Sequence, residues 1–314
     1  MPRNRSLARL LAYKATNSPT MVGRILHFSQ PYHLAVRQRQ LVITNKDSGE
    51  ITNRPIEDTA VLMLEHPQLT YTHALMQELM EHNVAVVFCG VDYHPTGLVL
   101  PLSGNVLQHQ RFKDQIGASM PLKKQLWQQT VKAKILNQAA MLDLVGKHGQ
   151  PLRQMASEVK SGDTENHEAR AAKAYWGQLF LEEFRRERDG IWPNSALNYG
   201  YAVLRAATAR AIVAAGLLPT LGIHHSNKYN AYCLADDLME PYRPYIDLEV
   251  VELMQLGYDE LNKESKARLI GVVLADVKQD KQKGPMMAAL HRTAQSLVKC
   301  FEQEGRKLSY PELK

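Results

Sequence analysis

Between residues 23 and 90 the chain runs in short apolar or alternating stretches separated by turn formers, a pattern of β-strands. Six such runs are GRILHFS (23–29), HLAVRQ (33–38), QLVITN (40–45), EITNRP (50–55), TAVLMLEH (59–66) and VAVVFCG (84–90). Pro31 and the stretch 45–49 supply turns between them. A single helical interval, 73–82, interrupts the series, which predicts a small β-sandwich or twisted sheet rather than alternating βαβ units. After Pro101 the period lengthens: Leu122, Leu126, Val131, Ile135, Leu136 and Leu142 recur at helical spacing, and GKHGQP (146–151) closes the segment. Further helices are expected at 165–187, 195–215, 230–239, 248–255, 263–278 and 286–304. The fold class is therefore α+β: a β-rich, sandwich-like domain (21–105) followed by a larger all-α domain (106–314).

Composition changes this picture little. With 314 residues, 45% of them hydrophobic, the chain can bury one large or two medium cores. The formal charge of +6 favours a polyanionic partner, although many enzymes are as basic. Cys89, Cys233 and Cys300 are odd in number and far apart, so neither a disulfide framework nor a paired-cysteine zinc site is available, and a cytoplasmic setting fits best. The longest apolar stretch, 206–218, is broken by Arg210 and Gly216, so no membrane span is expected. Residues 1–20 carry Arg3, Arg5, Arg9 and Lys14 around an apolar patch too brief for a secretory signal, and read as a flexible basic leader or a DNA-touching arm.

The densest chemistry lies in GIHHSNKYNAYCLADDLMEPYRP (222–244), where His224 and His225 precede a helix carrying Asp237 and Glu240. Residues three apart share a helix face, so two carboxylates can address one point beside an imidazole, a plausible divalent-metal arrangement. Glu240 precedes Pro241, where helical geometry is disfavoured, so this helix end needs a reason. Asp237 could instead pair with Arg243, and Asp236 reads as a solvated helix residue. A second acidic candidate is Glu168 in NHEARAAKAYW (166–176), behind the turn and capping residues Gly162 and Asp163; alone, it is explained by the helix dipole. An oxygen-rich set with one imidazole suits Mg²⁺ or Mn²⁺ better than structural zinc. Other matches fail: SEVK (157–160) lacks its partner motifs, HEARA at His167 has Ala171 where a zincin needs histidine, and no phosphate-binding glycine loop is present. RRER (185–188) reads equally as a solvated turn or a phosphate contact.

Taken together, MVGRILHFS, VAVVFCG, LWQQTVKAKILNQA, NHEARAAKAYW, NSALNYGYAVLRAATARAIVAAGLLPTLGIHH and LADDLMEPYRP resemble the CRISPR adaptation integrase, the metal-dependent endonuclease of spacer acquisition. The match spans 21–244, and GIHHSNKYNAY with DLMEPYRP is most similar to the type II branch. The resemblance implies metal ligands at Glu168, His225 and Glu240, with Asp237 as a weak ligand or a support for the others. His225 is preferred to His224 because the family places its histidine three residues after the glycine, here Gly222. A single Mg²⁺ or Mn²⁺ is expected. Lys228, Arg243 and Arg210 are candidate phosphate contacts.

The same resemblance implies a homodimer formed through the β-rich domain and a small ferredoxin-like adaptation partner. It further implies a short DNA duplex whose 3′-OH ends attack the CRISPR repeat, and, in the type II branch, a neighbouring RNA-guided nuclease. A hydrolytic DNA nuclease would need the same ligands, and a DNA-binding assembly protein would need none; both alternatives stay open on sequence.

Overall fold

The computed structural model describes residues 24–180, 184–187 and 190–314; the leader lies outside the described residues. The N-terminal part holds two four-stranded sheets. In one, β1 (Arg24–Phe28), β5 (Thr59–Leu64) and β7 (Ala85–Cys89) run parallel, and β8 (Pro95–Val99) closes the edge antiparallel to β7. In the other, the order is β4 (Ile51–Pro55), β3 (Gln40–Asn45), β2 (Tyr32–Arg37) and β6 (Thr70–Tyr71). Helix α1 (His73–Glu81), capped by the Thr72 hydroxyl, packs between them. The parallel neighbours β5 and β7 are joined through α1, so one βαβ crossover is present where the sequence pattern predicts none. The reason is visible in TAVLML and AVVFC, which are continuously apolar, as strands covered on both faces are.

All six residues of β5 are buried because the strand serves two cores. Leu62 and Leu64 face Phe28, Leu34, Leu41, Leu75 and Leu79, whereas Val61 and Met63 join Ala85 and Val87 against the helical body. The centre of that body is α6 (Asn194–Ala214), most of whose residues are buried. Its alanines and Gly200 permit close approach: a Cβ at Gly200 would lie 2.4 Å from Ile246 Cγ2. Beside α6 runs the 25-residue α3 (Met120–Leu144), entered from α2 (Gln108–Gly117) and followed by α4 (Gln150–Glu158). Then come α5 (His167–Leu179), α7 (Cys233–Met239), α8 (Arg243–Gln255), α9 (Lys263–Gly271) and α10 (Met286–Phe301). Among the described residues no helix is long and apolar enough to cross a membrane.

Three expectations need correction. The helix expected over 165–187 ends at Leu179, where Phe180 leaves helical backbone geometry. The helix expected over 263–278 stops at Gly271; after a 3₁₀ turn the chain enters β9 (Asp276–Gln279). The C-terminal part is thus not all-α, since β9 pairs antiparallel with β10 (Gln282–Pro285) and β11 (Pro311–Glu312). A two-residue turn, with Asp280 at φ 53°, makes the hairpin possible.

Because β5 is packed on both faces, Leu62→Ala and Met63→Ala should each cost ~2–5 kcal/mol in urea denaturation. A near-neutral Met63→Ala would mean that the sheet and the helical body are not one packed unit.

Candidate active site

Glu168 is placed by its helix start. Asp163, at φ 48°, follows Gly162 at φ 76°, and its two carboxylate oxygens accept the backbone N–H groups of His167 and Glu168, each at 2.9 Å. These are first-turn donors with no partner inside the helix, so the cap fixes where Glu168 begins its side chain. Glu168 then accepts a hydrogen bond from Lys134 Nζ at 2.7 Å.

His225 is placed by Asp237, which has no exposed side-chain surface. Its Oδ2 accepts from the N–H groups of Ile223 (2.7 Å) and His224 (3.0 Å), and its Oδ1 from the N–H of His225 (3.3 Å). The same Oδ1 lies 2.5 Å from His225 Nδ1. Asp237 is therefore the anchor of the loop rather than a ligand, and with Nδ1 taken, Nε2 is the ring nitrogen left for chemistry. Gly222 is required here, because a Cβ would fall 2.4 Å from the His225 carbonyl oxygen and 2.7 Å from Asp237 Oδ2. His224 lies flat on Trp127, with ring centroids 4.1 Å apart and planes 2° from parallel, which separates its role from that of His225. The loop's far end is held by Asp236, which is buried and accepts from Arg205 (2.6 Å) and Asn230 (2.7 Å), contrary to the solvated reading of the sequence.

Glu240 opens the 3₁₀ turn Glu240–Tyr242 that joins α7 to α8. It keeps helical geometry before Pro241 (φ −51°, ψ −47°), and Asn137 Nδ2 on α3 holds the Pro241 carbonyl at 2.7 Å. Only 4% of Glu240 is exposed, yet it contacts two cations: Arg243 at 3.0 Å on Oε1 and Lys134 Nζ at 2.6 Å on Oε2. Burial pushes its carboxyl pKa up, but Arg243 and Lys134, with His225 beyond, outweigh burial and hold it below the ordinary value. Lys134 shows the converse: burial lowers its pKa, and Glu240 with Glu168 more than restores it. The pKa of His225 is raised, mainly by its hydrogen bond to Asp237 and further by the charges of Asp237, Glu240 and Glu168.

Glu168 and Glu240 thus meet at the ammonium of Lys134, and His225 lies within electrostatic reach of both carboxylates. Among the described residues no three His, Cys, Asp or Glu side chains are close enough as they stand to hold a metal; the ammonium of Lys134 lies between the Glu168 and Glu240 carboxylates. Lys228 is exposed on the loop after His225, its Nζ 4.8 Å from the Tyr229 ring centroid. Arg243 is the counter-ion of Glu240 and stacks on Tyr201 at 4.7 Å; it does not pair with Asp237. Arg210 is engaged elsewhere: Nε donates to the Asn83 carbonyl at 2.6 Å, a mostly buried tie between α6 and the β-rich part. In the RRER stretch, Arg186 donates to Asn194 and Asn198, while Arg188 lies outside the described residues. Sequence reading passed over Lys134, Asn137 and Trp127. All three are buried on α3 with Leu126, Val131 and Ile135, and nothing local in the sequence distinguishes them from solvated or ordinary core positions.

Asp237→Asn should destabilise the folded protein by ~2–4 kcal/mol, since either orientation of the amide sets its NH₂ against N–H donors. Chemical denaturation measures this; a loss below ~0.5 kcal/mol would mean that the loop is held by other contacts.

Comparison with known proteins agrees on one family. Residues 25–281 match the family described as CRISPR associated protein Cas1. The chain is 39% identical over 298 residues to the CRISPR-associated endonuclease Cas1 of Neisseria meningitidis serogroup C (strain 8013), covering 93% of this chain and 97% of that one. Among solved structures, the fold is shared with a casposase bound to integration product (TM-score 0.73, 19% identity, 90% of this chain and 91% of that one). A Cas6-RT-Cas1–Cas2 complex is similar as well (TM-score 0.72, 20% identity, 93% of this chain and 36% of that one). The chain belongs to the Cas1 family of CRISPR-associated proteins.

Proposed function

We propose that this Cas1-family chain is a divalent-metal-dependent DNA endonuclease and integrase that inserts short DNA fragments into a CRISPR array by attack of their 3′-OH ends. The observation that carries the reading is the convergence of Glu168 and Glu240 on a single cation, with His225, oriented through Nδ1 by Asp237, within electrostatic reach of both. The 39% identical Neisseria relative, described as an endonuclease, supports the enzymatic class.

The residues suit Mg²⁺ or Mn²⁺. Two carboxylates from separate elements already share a positive charge, and buried Glu240 Oε2 has no well-directed hydrogen-bond donor despite its close contact with Lys134. Hard oxygen donors with one imidazole match either ion, and Glu168, Glu240 and His225 would hold it. When bound, such an ion acidifies the attacking hydroxyl and stabilises the charge that develops on the phosphate. The chain's own part is to hold Glu168 and Glu240 together through Lys134, to keep the Glu240 carboxyl below its ordinary pKa, and to fix the His225 tautomer through Asp237. Lys228, exposed on the loop after His225, is the cation of the three left for a DNA phosphate, whereas Arg243 is committed to Glu240 and Arg210 to Asn83.

The assembly follows the same reading: a cytoplasmic homodimer through the β-rich part, a small ferredoxin-like partner, DNA duplexes with 3′ ends and, for a type II relative, the RNA-guided nuclease. The fold shared with a Cas1–Cas2 complex supports a partner of this kind. The domain limits 21–105 and 106–314 are part of the proposal.

Glu168→Ala, His225→Ala and Glu240→Ala should each abolish Mn²⁺-dependent branched product in a strand-transfer gel, a loss of at least ~10³-fold. Duplex binding should survive, and should weaken by orders of magnitude from low to moderate salt. Linear product alone would assign hydrolysis, and metal-independent activity would return the cluster to a structural role. Because a ligand imidazole must be neutral and the His225 pKa is raised, Mn²⁺ binding should tighten steadily from about pH 6 to about pH 8. A pH-independent affinity would remove His225 from the ligand set.

A further inference from the structure

Lys134 is an unexpected occupant. It lies in the buried stripe of α3 among Val131, Ile135 and Gln138, and only 11% of its side chain is exposed. A buried ammonium is costly unless its charge is matched, and here the match comes from carboxylates on two other elements: Glu168 on α5 at 2.7 Å and Glu240 on the 3₁₀ turn at 2.6 Å. Without it, Glu240 would lose one of its two ion-pair partners among the described residues, keeping Arg243, and Glu168 would lose its partner Lys134.

We propose that Lys134 is a built-in counter-ion that holds Glu168 and Glu240 converged on one point while no metal is bound, and is expelled when a divalent cation enters. The proposal rests on the metal reading of this site. An ion with oxygen ligands at ~2.0–2.2 Å and an ammonium touching the same oxygens cannot share one gap. Repulsion between the cations adds to the steric conflict. The flexible four-carbon stem lets the charge leave without moving the helix. No covalent bond changes; one cation replaces another. The arrangement preforms the site at a cost in affinity, because metal binds only the fraction of molecules in which Lys134 has left. Lys134 is thus a positioning residue.

Two measurements on the full chain test this. First, wild type is acetylated with and without saturating Mg²⁺, and Lys134 modification is read by mass spectrometry. It should rise several-fold with Mg²⁺, while Lys299 on α10 stays constant. Second, Mn²⁺ binding is followed by electron paramagnetic resonance for wild type, Lys134→Met, Lys134→Arg and Glu240→Gln. Lys134→Met should bind at least about tenfold more tightly than wild type, and Lys134→Arg no more tightly than wild type. Lys134 labelling that stays constant or falls in wild type that binds metal overturns the proposal, as does unchanged or weaker binding by a folded Lys134→Met. If Lys134→Met does not fold, the wild-type labelling decides. If wild type and Glu240→Gln bind Mn²⁺ equally, the metal reading itself fails and the proposal goes with it.

Discussion

A carboxylate taken out of water must be matched by positive charge, and Glu240 is where this constraint shapes the molecule. At 4% exposure it is flanked by Lys134 and Arg243, whose charges, with that of His225, outweigh burial and hold its carboxyl below the ordinary pKa. Each of those cations is held in turn: Lys134 by a second carboxylate, Glu168, and Arg243 by the face of Tyr201. Four elements, α3, α5, the Glu240 turn and α8, are thereby fixed relative to one another by charge as well as by apolar packing. Asn137 reinforces this by bonding the Pro241 carbonyl and, at 3.0 Å, that of Pro311, which draws the C-terminal strand into the same assembly. The chemistry of the site and the stability of the helical body are therefore not separable.

His225 follows a different logic. Its loop has no helical ladder to satisfy three successive N–H groups, and a single buried aspartate does so instead. The acceptor that closes the loop also binds the imidazole, so backbone placement and tautomer are set together. Gly222 and the flat contact between Trp127 and His224 complete the clamp.

Local chemistry marks the neighbourhoods of Glu168, His225 and Glu240, through the Gly162–Asp163 cap, the Gly222 turn and the Glu240–Pro241 junction, but grouping them as one site comes from the family resemblance. The six strands read between residues 23 and 90 also follow from local patterning. Lys134 was not legible, since a lysine at helical period reads as solvated until its partners 34 and 106 residues away are known. The strand β8, PTGLV, carries Pro and Gly and is held by pairing with β7 rather than by propensity. The strands β9 and β10, DVKQ and QKGP, are charged segments that only their partners stabilise. The carboxylate pair was only partly legible: spacing places Asp237 beside Glu240 but does not say that one holds a loop and the other a lysine.

The central claim is that Glu168, His225 and Glu240 form one cation site. Anomalous diffraction at the manganese edge from Mn²⁺-soaked crystals tests it most directly. The account predicts a single strong peak bounded by the Glu168 and Glu240 carboxylates and His225 Nε2, with Asp237 still bonded to Nδ1. A manganese peak on other residues, with these three side chains unchanged around Lys134, would contradict it.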